Sequence, residues 1–303
     1  MNTVLDDNKK LCLMSGEMIA MSGPMSMIFE VQDLAAASPA TVSRCGMVYV
    51  EPSQIGWEPL LTSWLNTLPA PLDPHKEKLK NLFGWLVPPC LRFVAKEAKS
   101  TLTVGIPATD EVTRVNGLFK LLTALFAELS DEARATAVAK ELPLWVENLF
   151  FFSLVWTVGG VVDGASRPKF DAFVRQLATG KPPRGYEKVD GQFGEMIMWT
   201  KFMPEEATVF EYVFLQSTHK WALWTETIAK EDTRIPANAE FSQIIVPTLD
   251  TARYSFLLST LLENSMPLLY VGPTGTGKTA YVQKRLLSMP ATEWMSILSL
   301  IHI

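Results

Sequence analysis

The sequence predicts a chain of two characters, α/β at both ends and mainly α between them. Three observations carry that fold class. Short apolar runs, Met25 to Val31, Cys45 to Val50 and Leu268 to Val271, have the length and composition of buried strands. In the middle, Leu79, Leu82, Phe83 and Leu86, and later Leu118, Leu121, Leu122 and Leu125, recur at the i, i+3, i+4, i+7 spacing of amphipathic helices. Finally, a glycine-rich turn, Gly272 to Thr279, lies between the last apolar run and a helix-forming stretch, the strand, turn and helix order of an α/β unit.

Taken in order, the elements follow from local chemistry. Residues 2 to 21 suggest a helix, capped by Asn2 or Thr3 and supported by an i,i+4 pair of Asp6 with Lys10, until Ser22, Gly23 and Pro24 break it. The first two apolar runs follow, joined by the loop QDLAAASPATVSR. After Pro52 the pattern turns helical, with breaks expected at Pro69 to Pro74, Pro88-Pro89, Gly105 to Pro107 and Gly180 to Tyr186. Residues 187 to 240 are irregular in pattern, with Trp199, Trp221 and Trp224 spread among polar residues. At Phe241 the α/β character returns: a helix-like TARYSFLLSTLLENS, the run Leu268 to Val271, the glycine-rich turn and a second helix.

Composition narrows the function classes. In 303 residues, 48% are hydrophobic and 19% charged, with 9 Trp and 16 Phe, which excludes wholesale disorder. A net charge of −5 offers no broad positive field for nucleic acid or an anionic membrane, so neither is expected as a partner. Cys12, Cys45 and Cys90 are widely spaced and outline neither a disulfide framework nor a zinc site, which fits a reducing, cytosolic compartment. The acidic N-terminus lacks the features of a secretory signal. The apolar run Leu149 to Val162 falls short of the ~20 residues of a membrane span and is expected to be a buried core segment of a soluble protein. The tryptophans are expected to be core anchors, and His75, His219 and His302, being isolated, receive no role.

One motif carries chemistry. Gly272, Pro273, Thr274, Gly275, Thr276, Gly277, Lys278 and Thr279 match GxxxxGK[ST] in the strand-to-helix context that a phosphate-binding loop requires. The glycines let backbone N–H groups turn inward around phosphates, Lys278 supplies a positive charge, and Thr279 can ligate Mg²⁺ through the nucleotide. Hydrolysis also needs an acidic residue on a neighbouring strand. Only 24 residues follow Thr279, so an active stand-alone ATPase is not expected. A self-contained P-loop nucleotide-binding protein and a truncated, non-catalytic interaction isoform stay open as alternatives.

At this point the residues resemble one family, the dynein heavy chain of axonemal (ciliary) type. LDDNKKLCLMSGE (5–17), FEVQDLAAASPATVSRCGMVYVEP (29–52) and VPTLDTARYSFLL through VGPTGTGKT (246–279) are similar to the motor ring at its second AAA+ module and the start of its third. The resemblance implies four segments. Residues 1–55 are the C-terminal part of the second module's α/β subdomain, 56–239 a mainly helical lid with connector, 240–295 the N-terminal part of the third module, and 296–303 an atypical tail, whose last residues, SLIHI from Ser299, suggest a truncated or aberrantly spliced transcript.

It also implies roles. Arg44 aligns with the arginine finger that acts in trans on the preceding module, and Gln32 falls at the sensor-one position, where its departure from the usual Asn argues against catalysis by the second module. Val246, Pro247 and Thr248 resemble the segment lining the adenine pocket, so with the Walker A residues they face one regulatory ATP/ADP and Mg²⁺ site. The implied setting is the cytoplasm and cytoskeleton of the ciliary or flagellar axoneme. The implied partners are neighbouring AAA+ modules and, through the full-length protein, intermediate chains, light chains and microtubules.

Overall fold

The computed structural model describes residues 2–5, 9–31, 33–50, 55–97, 111–188, 192–228 and 248–297, in two compact units, Met1–Ile55 and Gly56–Ile303. In the first unit, α1 (Asn2–Leu5) precedes an antiparallel hairpin of β1 (Lys10–Cys12) and β2 (Met18–Ala20), with Lys10 opposite Ala20 and Cys12 opposite Met18. Of the helix expected over residues 2–21, the described residues keep only the turn Asn2–Leu5, and strands stand at 10–12 and 18–20. Gly16, at φ 84°, supplies the left-handed residue of the hairpin turn, closed by Leu13 N–H to Glu17 O at 2.9 Å. A four-residue helix, α2 (Pro39–Val42), follows, capped by the Ser38 hydroxyl.

The runs 25–31 and 45–50 form no ladder among the described residues and are exposed, with Ile28 at 95% and Val48 at 88%. The same holds for 268–271, where Leu269 is 75% exposed. Their composition suits strands, but a strand exists only through its hydrogen-bonded neighbour, and no described segment lies beside any of them as one.

The second unit is built on a helical body: α3 (Glu58–Thr67), α4 (Lys76–Glu97), α5 (Glu111–Phe126), α6 (Glu132–Ala137), α7 (Leu142–Thr157) and α8 (Arg167–Ala178). The centre is α7, buried on nearly every face; Trp145, Val146, Leu149, Phe150 and Phe151 are all buried, and α4 and α5 pack against it. The stretch Leu142–Val161 is long and apolar enough to cross a membrane by length and composition, but 78% of it is buried inside the protein, as expected of a core helix. Trp57, Trp64, Trp145, Trp156 and Trp224 all lie in this core.

Pro88 and Pro89 do not end a helix; α4 runs straight through them. A proline inside a helix frees the carbonyl four residues earlier. Here Gly84 O, opposite Pro88, is taken instead by Gln192 Nε2 at 2.6 Å. The crossing segment comes this close because Gly84 has no Cβ; one placed there would lie 2.3 Å from Phe193 O. Pairing from outside replaces the missing internal bond, so the helix survives.

The irregular-looking stretch after residue 187 contains an antiparallel hairpin, β3 (Tyr212–Leu215) with β4 (Lys220–Leu223), turning through His219 at φ 56°. A short α9 (Trp224–Thr227) follows. Polar groups lock this region to the helices: buried Glu147 of α7 accepts from Lys78 Nζ and from Thr200 N–H at 2.7 Å, and Trp221 Nε1 donates to Asn148 at 2.8 Å. The chain then continues to α10 (Leu249–Glu263), the glycine-rich loop and α11 (Lys278–Leu287).

Candidate functional site: a phosphate loop at a helix N-terminus

Two positive-φ glycines shape the loop, Gly275 at 85° and Gly277 at 79°, a region in which a side chain costs ~1–2 kcal/mol. Gly277 is also the N-cap of α11, whose first helical hydrogen bond runs from Tyr281 N–H to Gly277 O at 3.1 Å. The N–H groups before Tyr281 have no acceptor within the helix and point out of its N-terminus, where the helix dipole favours negative charge. Lys278 folds its ammonium over the loop, donating to Gly272 O at 2.8 Å, Pro273 O at 2.5 Å and Thr276 Oγ1 at 3.2 Å. Thr276 Oγ1 in turn donates to Pro273 O at 2.9 Å.

The loop is exposed from Gly272 to Thr276, and nothing lies within 4 Å of where a Gly275 Cβ would be. Thr279 is exposed on the first turn of α11, next in sequence to the ammonium. Outward-facing helix N–H groups, a lysine ammonium and a hydroxyl on one open turn form a donor set suited to a phosphate chain with its divalent cation. Among the described residues no cluster of His, Cys, Asp or Glu is placed to hold a metal without such a ligand.

The remaining predicted residues stand elsewhere. Thr248 is the N-cap of α10: its hydroxyl accepts from Thr251 N–H at 3.2 Å, and Thr251 Oγ1 accepts from Thr248 N–H at 3.1 Å. Val246, Pro247 and Gln32 lie outside the described residues. Arg44 belongs to the first unit, where it is exposed and its Nη1 donates to Ala40 O at 2.8 Å, capping the end of α2.

Sequence reasoning missed what holds the loop in place. Tyr270, two residues before Gly272, donates its hydroxyl to Tyr254 O on α10, and Arg285 of α11 pairs with Glu263 at the end of α10. Burial is the main cause that pushes the Tyr270 hydroxyl above its ordinary pKa, with Tyr254 adding to it, so it remains a donor across the physiological range. A cavity of 390 Å³ adjoins these helices, lined by Leu215, Trp224, Thr251, Phe256, Tyr281 and Lys284, and so by both the β3–β4 hairpin and the loop's own helix.

A family model for the dynein heavy chain AAA lid domain matches residues 79–226, and one for the P-loop containing dynein motor region matches residues 233–301, together well over half of the chain. The chain belongs to the dynein heavy-chain family. It is similar to Dynein axonemal heavy chain 3 of Homo sapiens, 42% identical over 97% of this chain. Dynein axonemal heavy chain 3 and Dynein axonemal heavy chain 12 of Mus musculus are 44% and 42% identical over 96% and 95% of it. The chain spans only 7% to 9% of the length of these relatives. Within the dynein family the stretch from α4 to α9 is thus AAA lid material, and the glycine-rich loop belongs to a P-loop motor region.

Proposed function

We propose that this dynein chain contributes a nucleotide-binding P-loop and a trans-acting arginine to the ATP-driven ring of an axonemal heavy chain, which drives the microtubule-based movement of cilia and flagella. In this reading residues 1–55 close the second AAA+ module, 56–239 form its lid and connector, 240–295 open the third, and 296–303 are a tail. The observation that carries it is the Lys278 ammonium held at the N-terminus of α11 by a loop whose glycines adopt left-handed backbone, in a stretch matching the dynein P-loop motor region.

Gly272 to Gly277 would receive the phosphates of ATP or ADP, Lys278 would exchange its loop carbonyls for phosphate oxygens, and Thr279 would complete a Mg²⁺ shell. The nucleotide supplies the phosphoryl group and the metal its charge neutralisation. Arg44 would serve the preceding module's nucleotide, its guanidinium stabilising charge built up on the transferred phosphoryl. Its place just beyond a helix end, on an exposed turn, supports a role outside its own unit.

Binding of a fluorescent ATP analogue with Mg²⁺, compared between the wild type and Lys278→Ala, tests the loop. Saturable binding lost in the variant is expected; binding equal in both would refute it. For Arg44, the full-length heavy chain carrying Arg44→Ala is expected to bind nucleotide normally and to hydrolyse it more slowly by a factor of ~10³ or more.

A further inference from the structure

Both ends of the phosphate loop are tied to one helix. In front, the Tyr270 hydroxyl donates to Tyr254 O; behind, Arg285 pairs with Glu263, and both acceptors belong to α10. Tyr254 in turn faces the lid. Its ring stands edge-on to Trp156 of α7 at 6.3 Å and 84°, and its hydroxyl accepts from Arg167 Nη2 at the start of α8, at 3.4 Å. The same Arg167 lies over the Phe210 ring at 4.8 Å, so its guanidinium is held from two sides. Tyr254 and Tyr270 also meet ring to ring, at 6.0 Å and 67°. A continuous path of packed rings and hydrogen bonds therefore runs from the residue two before Gly272 to the lid's central helix.

We propose that Tyr254 and Tyr270 are positioning residues that fix the phosphate loop against the helical lid, so that occupancy of the loop is felt at the start of α8. The proposal rests on the reading of the loop as a nucleotide site. Its physical basis is that Tyr254 is shared: its carbonyl holds the loop and its side chain holds Arg167, so a shift of the loop toward phosphate moves the group that orients α8. Without this tie, the front of a loop as exposed as Gly272 to Thr276 would lose its hydrogen bond to α10, leaving the Arg285–Glu263 pair behind it.

Amide hydrogen exchange on the full chain, with and without a Mg²⁺-bound ATP analogue, separates the parts. Tyr270→Phe keeps the ring and loses the hydroxyl; Tyr254→Phe keeps the rings and the Tyr270 bond and loses only the Arg167 contact. Without nucleotide, Tyr270→Phe is expected to speed exchange in residues 272–280 by about three- to tenfold, the weight of one hydrogen bond, while the α7 core stays protected. With nucleotide, the wild type is expected to gain protection at 167–171, and either variant to lose that gain.

Unchanged loop exchange in Tyr270→Phe overturns the tie itself. A wild type that binds nucleotide and gains α8 protection equally in both variants overturns the coupling and leaves the nucleotide site standing. A wild type that binds no nucleotide overturns the nucleotide reading and the coupling with it, whereas the nucleotide-free exchange still decides whether the tie exists.

Discussion

Replacing Gly84 by Ala puts opposing effects on one atom, and the structure decides which wins. In an ordinary helix interior the change is stabilising by ~1 kcal/mol, because alanine loses less backbone entropy. Here the added Cβ would sit 2.3 Å from Phe193 O and 2.6 Å from Phe193 C, both backbone atoms of the crossing segment. Gly194 meets α4 from the other side, its own Cβ position lying 2.7 Å from Asn81 O. No rotamer change relieves a backbone contact, so the segment must withdraw.

Withdrawal breaks Gln192 Nε2 to Gly84 O and Glu195 N–H to Asn81 Oδ1, and loosens the Phe193 ring from Trp57 at 5.7 Å. At ~1 kcal/mol for each hydrogen bond and ~1 kcal/mol for the aromatic pair, the loss is ~3 kcal/mol. Against the propensity gain the net destabilisation is about 2 kcal/mol, or roughly 4–8 °C in Tm for a unit of this size. Thermal unfolding followed by circular dichroism at 222 nm measures it, with Gly160→Ala, a site with nothing within 4 Å, as the reference. A Tm for Gly84→Ala at or above wild type would refute the reasoning, since it would mean that propensity alone acts.

Three further outcomes are expected. Gly277→Ala must hold a side chain at φ 79° and 3.3 Å from the Tyr281 ring, a strain of ~1–2 kcal/mol that predicts nucleotide binding weaker by about 5- to 30-fold with the helical signal unchanged; titration with a fluorescent ATP analogue reads it. Glu147→Ala leaves Lys78 and Thr200 without their common buried acceptor and is expected to cost ~3–5 kcal/mol in urea unfolding, and a loss below ~1 kcal/mol would show that water replaces the carboxylate. His75 is held below its usual pKa by burial first and by the Lys78 charge second, so the unfolded chain takes up the proton before the folded one. Its contribution is therefore whole above about pH 6.5 and lost as the pH falls below it; urea midpoints at pH 7.5 and 5.5 should differ less in His75→Gln than in the wild type.

The helical body and the glycine-rich loop leading into a helix were legible in the sequence, because both are local. Helical spacing sorts apolar residues to one face within a few turns, and the loop's glycines and Lys278 lie within eight consecutive residues. Strands are another matter: 25–31, 45–50 and 268–271 have strand composition, yet a ladder depends on a neighbour that no local pattern names. Conversely, β3 and β4 were hidden among polar residues, since their partner is each other and their stability comes from the lid beneath, where Val213 and Phe214 are buried.

Sequence also misjudged Pro88 and Pro89 as a break. The rule that proline frees a carbonyl is correct, but only the tertiary structure brings Gln192, 108 positions away, to take it. For the same reason the chemistry of the loop could be named from the sequence, while its placement could not. The sequence determined which donors stand together in the loop, since they come from its own backbone and Lys278; the tertiary structure decided what the loop leans on, because Tyr254 and Glu263 meet Tyr270 and Arg285 only through the packing of α10 and α11.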